Sequence, residues 1–193
     1  QGRGMAWGEP ASCDWSEDLA AQLPFAQGNM RSLLRLSDSV TRRPLVQGNC
    51  VETLHNGEAA YPAMIEAIGA ARRSVELSTY IFDSDGSGRR FANALSEASQ
   101  RGVEVRLLID GLGERYSFPV ARRLFRGSPV QIARFLPPSL SGRGLHLNLR
   151  NHRKILVVDG DVGFTGGMNI GDRHLVATPG RGKRVGDIHF CLR

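Results

Sequence analysis

The most informative stretch of this sequence is Asn151–Asp172, which reads NHRKILVVDGDVGFTGGMNIGD. The apolar run Ile155–Val158 predicts a strand anchored in a core, and Val162–Thr165 predicts a second strand. Asp159-Gly160 between them is typical of a tight hairpin turn. Because side chains alternate faces along a strand, His152 and Lys154 are predicted to project to the same side.

The second predicted strand leads to Gly166, Gly167 and Asn169. Glycines let backbone approach an anion closely, and a helix starting near Asn169 would add free N–H groups. An imidazole that attacks phosphorus, with an ammonium group and an amide that stabilise the non-bridging oxygens, suits phosphoryl transfer. The stretch therefore predicts a phosphoryl-transfer site containing His152 and Lys154.

Outside this stretch, patterns typical of helices and strands alternate. Helices are predicted at Ala60–Arg73 and Gly88–Arg101, and strands at Ser74–Phe82 and Val103–Ile109, with a last strand at Asp187–Leu192. This alternation predicts an α/β fold with a mixed, largely parallel sheet flanked by helices.

The spacing His-x-Lys-x4-Asp-x6-Gly-Gly-x-Asn resembles the signature motif of the phospholipase D superfamily. Its members here are His152, Lys154, Asp159, Gly166, Gly167 and Asn169. Stretches such as GVEVRLLIDGLG and VGDIHF extend the resemblance to the first half of a bacterial cardiolipin synthase. The resemblance implies a phospholipase D-like catalytic half-domain at 48–193, preceded by a partly irregular arm at 1–47.

The resemblance also implies a mechanism. A histidine, here His152, forms a covalent phosphohistidine, and the phosphatidyl group then passes to another alcohol or to water. No cofactor or metal is needed. Asp187 is the candidate for orienting the His152 ring, since related enzymes carry an acidic residue at this point. Asp159 belongs to the motif, yet its position in a turn favours a structural role over a catalytic one.

Active sites of this family use two copies of the motif, whereas the other histidines of this chain are not followed by x-Lys. Those histidines are His55, His146, His174 and His189. Three hypotheses remain: an enzyme half of the cardiolipin synthase type, a homodimer like the small phospholipase D-like nucleases, and a non-catalytic fragment that lacks the second motif.

The net charge of +6 is unevenly distributed, with −3 over residues 1–27 and +9 over the remainder. A basic body suits an anionic phospholipid or a nucleic acid. The longer resemblance to the synthases favours phospholipid as substrate and a membrane surface as partner. Pro137–Arg150, with Leu147 among arginines, is predicted to be either a membrane-facing mouth or another core strand.

No apolar run approaches the ~18 residues that span a bilayer, and the N-terminal residues lack a signal-peptide pattern. Cys13, Cys50 and Cys191 are too scattered for a disulfide framework or a zinc site. These observations, with the resemblance, predict a cytoplasmic protein lying peripherally at the inner membrane.

Overall fold

The computed structural model describes residues 29–42, 49–137, 149–177 and 182–193. The chain divides into two units, and the boundary between them along the sequence lies between Asn49 and Cys50. In the first unit, helix α1 covers Asn29–Thr41. The rest of the arm predicted at 1–47 lies almost entirely outside the described residues. No described helix is long and apolar enough to cross a membrane.

In the second unit, the described residues contain two α-helices and one sheet of seven strands. The elements in chain order are β1 (Val51–His55), α2 (Asn56–Ala70), β2 (Ser74–Thr79), α3 (Gly86–Gln100), β3 (Glu104–Asp110), β4 (Gln131–Phe135), β5 (Ile155–Val158), β6 (Val162–Gly166) and β7 (Ile188–Leu192). Short 3-10 helices occupy Gly113–Tyr116, Ala121–Phe125 and Asp172–His174.

The strand order is β1-β7-β6-β5-β2-β3-β4. The mixed sheet with flanking helices is confirmed, but the expected predominance of parallel pairing is wrong. Only β2–β3 and β3–β4 pair in parallel, and the other four neighbour pairs are antiparallel. The reason is that β5 and β7 run opposite to the other five strands, and each of them lies between two strands of the opposite direction.

The two faces of the sheet differ in what covers them. Helices α2 and α3 pack on the face that carries Val75, Leu107 and Leu156, and these side chains are buried. Between the helices, the rings of Tyr61 and Phe91 meet edge to face with centroids 5.3 Å apart. No described helix of this unit covers the opposite face, where a groove of about 560 Å³ is lined by residues including Ile155 and Val157.

One end of the sheet collects the segments that carry the predicted chemistry. The pairings Ser78 with Ile155 and Gly166 with His189 bring the ends of β2 and β6 beside the starts of β5 and β7. The residues that precede β5, including His152, therefore lie beside the residues that follow β2. The turn between β5 and β6 lies at the opposite end.

Candidate active site

His152 and Lys154 lie on the same side of the chain, around the ring of Tyr80. The imidazole of His152 stacks on this ring, with centroids 4.2 Å apart and an interplanar angle of 18°. The Lys154 Nζ donates a hydrogen bond of 2.8 Å to the carbonyl oxygen of His152 and lies 5.7 Å from the Tyr80 centroid. Both candidate side chains thus lie near one aromatic ring, that of Tyr80. The His152 side chain is exposed.

The motif does not single out Tyr80, which is the main addition to the site. It follows the last residue of β2 directly and also meets the ring of Tyr116, with centroids 6.1 Å apart. Burial and the hydrogen bond with Tyr116 raise the pKa of Tyr80. The aromatic residue at the end of a strand is a signal in the sequence, but its closeness to His152 depends on β5 lying beside β2.

Asp187 lies at the site but is not hydrogen-bonded to His152 in the described structure. Its carboxylate accepts the N–H of Ile188 at 2.7 Å. A Cβ atom placed on Gly167 would lie 2.4 Å from either carboxylate oxygen, so a larger residue there would displace the Asp187 side chain. Partial burial lowers the pKa of Lys154, and the negative charge of Asp187 opposes this shift. The charge of Asp187 therefore acts on Lys154 at the site, without a hydrogen bond to His152 in the described structure.

Asn169 is held in place on both its side chain and its backbone. Its Oδ1 accepts the N–H of Ile81 at 3.0 Å, and its carbonyl oxygen accepts the hydroxyl of Tyr61 at 2.8 Å. With Oδ1 engaged, the Nδ2 group is the part of the amide that can donate to a ligand. No helix starts at Asn169 itself, because Ile170 forms a bridge with Phe82 and the next helical turn covers Asp172–His174.

Gly166 is required by the packing of β7. A Cβ atom there would lie 2.4 Å from the carbonyl oxygen of Ile188 and 2.6 Å from Nδ1 of His189. The two motif glycines therefore make room for Ile188, His189 and Asp187. Their predicted contact with phosphate stays a prediction.

Asp159 lies at the other end of β5 from His152. The two are seven residues apart, or roughly 20 Å along an extended chain. The Asp159 carboxylate accepts the backbone N–H groups of Arg72, Arg73 and Ser74 at 2.9, 2.7 and 2.9 Å. These hydrogen bonds, led by that of Ser74, lower the pKa of Asp159. Although Asp159 belongs to the motif with His152 and Lys154, its contacts are those of a turn residue, in line with the structural role that its position favoured.

A buried carboxylate supports the segment that carries His152. Asp110, at the end of β3, accepts the N–H of Asn151 at 3.0 Å and pairs with Arg150 at 3.3 Å. Burial alone would raise the pKa of Asp110, but hydrogen bonds, that of Asn151 foremost, bring it below its ordinary value. The Nδ2 of Asn151 donates to Ser78 Oγ at 2.9 Å. These contacts tie the residue before His152 to both β2 and β3.

The ion pair of Arg150 with Asp110 involves the last residue of the predicted membrane-facing mouth, Pro137–Arg150. The guanidinium of Arg150 is nearly buried against Asp110, so it does not extend toward solvent. Leu149 is exposed. Residues 138–148, which contain the rest of the predicted mouth, lie outside the described residues.

His189 is buried beside the site, and neither ring nitrogen has a hydrogen-bond partner within the described ranges. Burial lowers the pKa of His189 to about 4, with the charge of Asp187 acting in the opposite direction. Burial and the lowered pKa therefore favour a neutral, packed His189 ring. Across the described part of the chain, no three His, Cys, Asp or Glu side chains are grouped as metal ligands.

The fold and the His-x-Lys site define a phospholipase D-like domain. Residues 64–178 match the family model described as cardiolipin synthase, PLD-like domain. The chain belongs to this family, which confirms the resemblance recognised in the motif.

Curated relatives of this chain are named as cardiolipin synthases. Cardiolipin synthase A of Pseudomonas aeruginosa is 37% identical over 175 residues, which is 88% of this chain and 34% of that protein. Cardiolipin synthase of Geobacillus kaustophilus is 34% identical over 175 residues, or 89% of this chain and 34% of that protein. The chain thus spans about a third of the length of these relatives.

Solved structures confirm the fold. NucT from Helicobacter pylori superposes with a TM-score of 0.58 at 14% identity, covering 75% of this chain and 86% of that one. Nuc from Salmonella typhimurium, a phospholipase D family member, gives 0.54 at 19% identity, covering 75% and 83%. Phosphatidylserine synthase of Haemophilus influenzae gives 0.58 at 17% identity, covering 73% and 32%.

Proposed function

We propose that this chain forms one half of a phosphatidyl-transferring active site of the cardiolipin synthase type, with His152 as the nucleophile. The observation that carries the proposal is the arrangement of His152 and Lys154 around Tyr80, at the exposed end of the sheet. Membership of the PLD-like family and the identity to cardiolipin synthases support the choice of chemistry. The substrate class is an anionic phospholipid.

In the first step, a ring nitrogen of His152 attacks phosphorus, a P–N bond forms, and the P–O bond to the leaving alcohol breaks. The leaving oxygen takes a proton from an acid outside this half. An incoming alcohol or water then attacks phosphorus and breaks the P–N bond, and its proton passes to the same outside group, which the first step left deprotonated. Lys154 and the Nδ2 of Asn169 stabilise the non-bridging oxygens as negative charge develops.

The acid must come from a second phospholipase D-like half, because this chain has one His-x-Lys sequence. Two sources fit this requirement: another half within a longer protein, or a second copy of this chain. The threefold greater length of the cardiolipin synthases supports the first. The large share of NucT and Nuc that this chain covers supports the second. We place the site at the cytoplasmic surface of the inner membrane, where its substrate lies.

A substrate with a good leaving group tests this half without the missing acid, because nitrophenolate departs without being protonated. With a phosphatidyl nitrophenyl ester, we expect a stoichiometric burst of nitrophenolate and an adduct on His152 detected by mass spectrometry. His152→Asn should abolish both. His55→Asn is the matched control, since His55 lies on β1 outside the site.

Each alternative predicts a different result. A burst with a nucleotide nitrophenyl ester but none with the phosphatidyl ester would favour a nuclease-like activity. The absence of both would favour a non-catalytic fragment. An adduct on a residue other than His152 would contradict the proposed nucleophile.

A further inference from the structure

The segment that follows β3 exposes aromatic side chains that nothing in the proposed chemistry requires. Phe118 is 90% exposed and Tyr116 is 62% exposed. Both rings belong to Tyr116–Val120, which has the sequence YSFPV. A phenylalanine ring exposed almost wholly to water is unfavourable. Transfer of the ring to an apolar environment would lower the free energy, so the ring marks a candidate contact surface.

Hydrogen bonds hold the residues on both sides of Phe118. Ser117 Oγ accepts the N–H of Ser84 at 2.8 Å and lies 2.9 Å from Ser84 Oγ. The same Ser84 hydroxyl donates to the carbonyl oxygen of Pro119. The residues on both sides of Phe118 are therefore tied to the segment that follows β2, and the ring projects from between them.

The surroundings of this ring are strongly basic. Residues 115–126 contain four arginines and no acidic residue. These arginines are exposed, and they are Arg115, Arg122, Arg123 and Arg126. Arg122 pairs with the buried Glu114 at 3.3 Å. An apolar ring within a group of arginines is complementary to a surface that is apolar inside and negatively charged outside.

This surface is continuous with the candidate active site. The ring of Tyr116 lies 6.1 Å from that of Tyr80, and Tyr80 stacks on His152. A membrane in contact with Phe118 would therefore lie near the nucleophile. This matters because long acyl chains do not leave a bilayer readily.

We propose that residues 115–126, here called the Arg–Phe surface, dock this unit on an anionic phospholipid bilayer. Phe118 enters the interface between headgroups and acyl chains, and Arg115 and Arg123 contact headgroup phosphates. The inference rests on the proposed function, because an enzyme that acts on membrane phospholipid must bring its site to the membrane. The partner is the bilayer surface itself, and a nucleic acid is the rival outcome of the test.

Vesicle binding of the chain carrying His152→Asn tests this inference without any dependence on catalysis. Vesicles of phosphatidylcholine with phosphatidylglycerol, and of phosphatidylcholine alone, would be used in flotation. Phe118→Ser should weaken binding to the anionic vesicles about tenfold, from the loss of one buried aromatic ring. Phe118→Trp should bind at least as well as the parent, since tryptophan favours the membrane interface.

The charge contribution has a matched control within the chain. Arg115→Gln with Arg123→Gln should weaken binding to anionic vesicles by about tenfold or more, and added salt should reduce the difference. Arg89→Gln with Arg90→Gln removes the same charge from exposed positions on α3 and should change binding little. Val51→Ser, an exposed apolar position on β1, is the control for Phe118→Ser.

Equal binding by the parent and Phe118→Ser would overturn the inference, as would equal losses from the two arginine pairs. Tight binding of single-stranded DNA that depends on Arg115 and Arg123, with no binding to vesicles, would also overturn it in favour of a nucleic-acid surface. Absence of the nitrophenolate burst in the chain that retains His152, with intact vesicle binding, would remove the proposed chemistry alone. Loss of vesicle binding with an intact burst on a soluble short-chain substrate would remove the docking alone.

Discussion

The two ends of strand β5 belong to one sequence motif but are built for different purposes. At the first end, His152 is exposed on the ring of Tyr80, and Lys154 lies beside it. At the second end, the carboxylate of Asp159 accepts the backbone N–H groups of Arg72, Arg73 and Ser74, where β2 begins. A group that is to react must be accessible, whereas a group that holds a turn must have its hydrogen bonds satisfied.

One sequence motif thus holds a proposed nucleophile at one end of β5 and a turn anchor at the other. The four residues of β5 separate these two ends and keep their spacing constant. The turn end also anchors β5 to the start of β2, because the amide of Asp159 donates to the carbonyl oxygen of Ser74 at 2.9 Å. Substitutions at the two ends should therefore separate activity from stability.

The largest difference between the ends is expected at His152. His152→Asn should lower the rate of the nitrophenolate burst by about 10⁴-fold or more, because the nucleophile itself is removed. Its melting temperature should stay close to that of the parent, since the ring is exposed. Stopped-flow absorbance and thermal unfolding measure the two quantities. A burst that survives the substitution would remove the distinction between the ends.

The next effect is expected at Lys154. Lys154→Ala should reduce the burst rate by about 10²–10³-fold, as when one preorganised donor to a developing oxyanion is lost. Lys183→Ala is the matched control, because Lys183 is the other lysine of the chain and is exposed. Equal rates for the two variants would show that the ammonium of Lys154 does not contact the phosphate.

A smaller effect is expected at Asp187, and its pH dependence separates two roles. The negative charge of Asp187 favours the protonated form of Lys154. Asp187→Asn should therefore lower the pKa of Lys154 and move the basic limb of the pH–rate profile to lower pH, with a loss of rate on the alkaline side of about tenfold for each pH unit that the limb moves. A shift of the acid limb alone would instead support the original prediction that Asp187 orients His152.

The smallest effect on activity is expected at Asp159. Asp159→Asn should lower the melting temperature and leave the burst rate of the folded protein nearly unchanged. The pKa of Asp159 is lowered in the folded protein, so its stabilising contribution is present at neutral pH. It is lost as the pH falls from about 4 through the folded pKa, where the carboxylate is protonated in both states. Melting curves of the two proteins should therefore converge in acid, and a large loss of burst rate at neutral pH would contradict the structural role.

Local sequence was sufficient for the hairpin and for the closeness of the candidate pair. The apolar run predicted for β5 is the observed strand, Ile155–Val158, and His152 and Lys154 lie together as predicted, although both precede the strand and do not belong to it. These features depend on neighbours a few residues apart. They could be predicted because the period of a strand and the geometry of a tight turn are local properties.

The positions of Tyr80 beside His152 and of Asp110 beside Asn151 could not be predicted in the same way. Tyr80 and Asp110 meet the segment before β5 only because β5 pairs with β2, which in turn pairs with β3. That order is set by packing between distant parts of the chain. The same long-range pairing made most neighbour pairs antiparallel, against the prediction from helix–strand alternation.

The backbone contacts between the two ends of the second unit have a consequence for protein engineering. Cys50 and Arg193 exchange two hydrogen bonds, of 2.7 and 2.9 Å, as β1 lies beside β7. The chain therefore enters and leaves this unit at one corner of the sheet. A short linker could join Arg193 directly to Cys50, and new ends could be opened at the exposed Arg126-Gly127 turn. Such a circular permutant should keep the sheet and the site while moving the attachment point to another edge of the molecule.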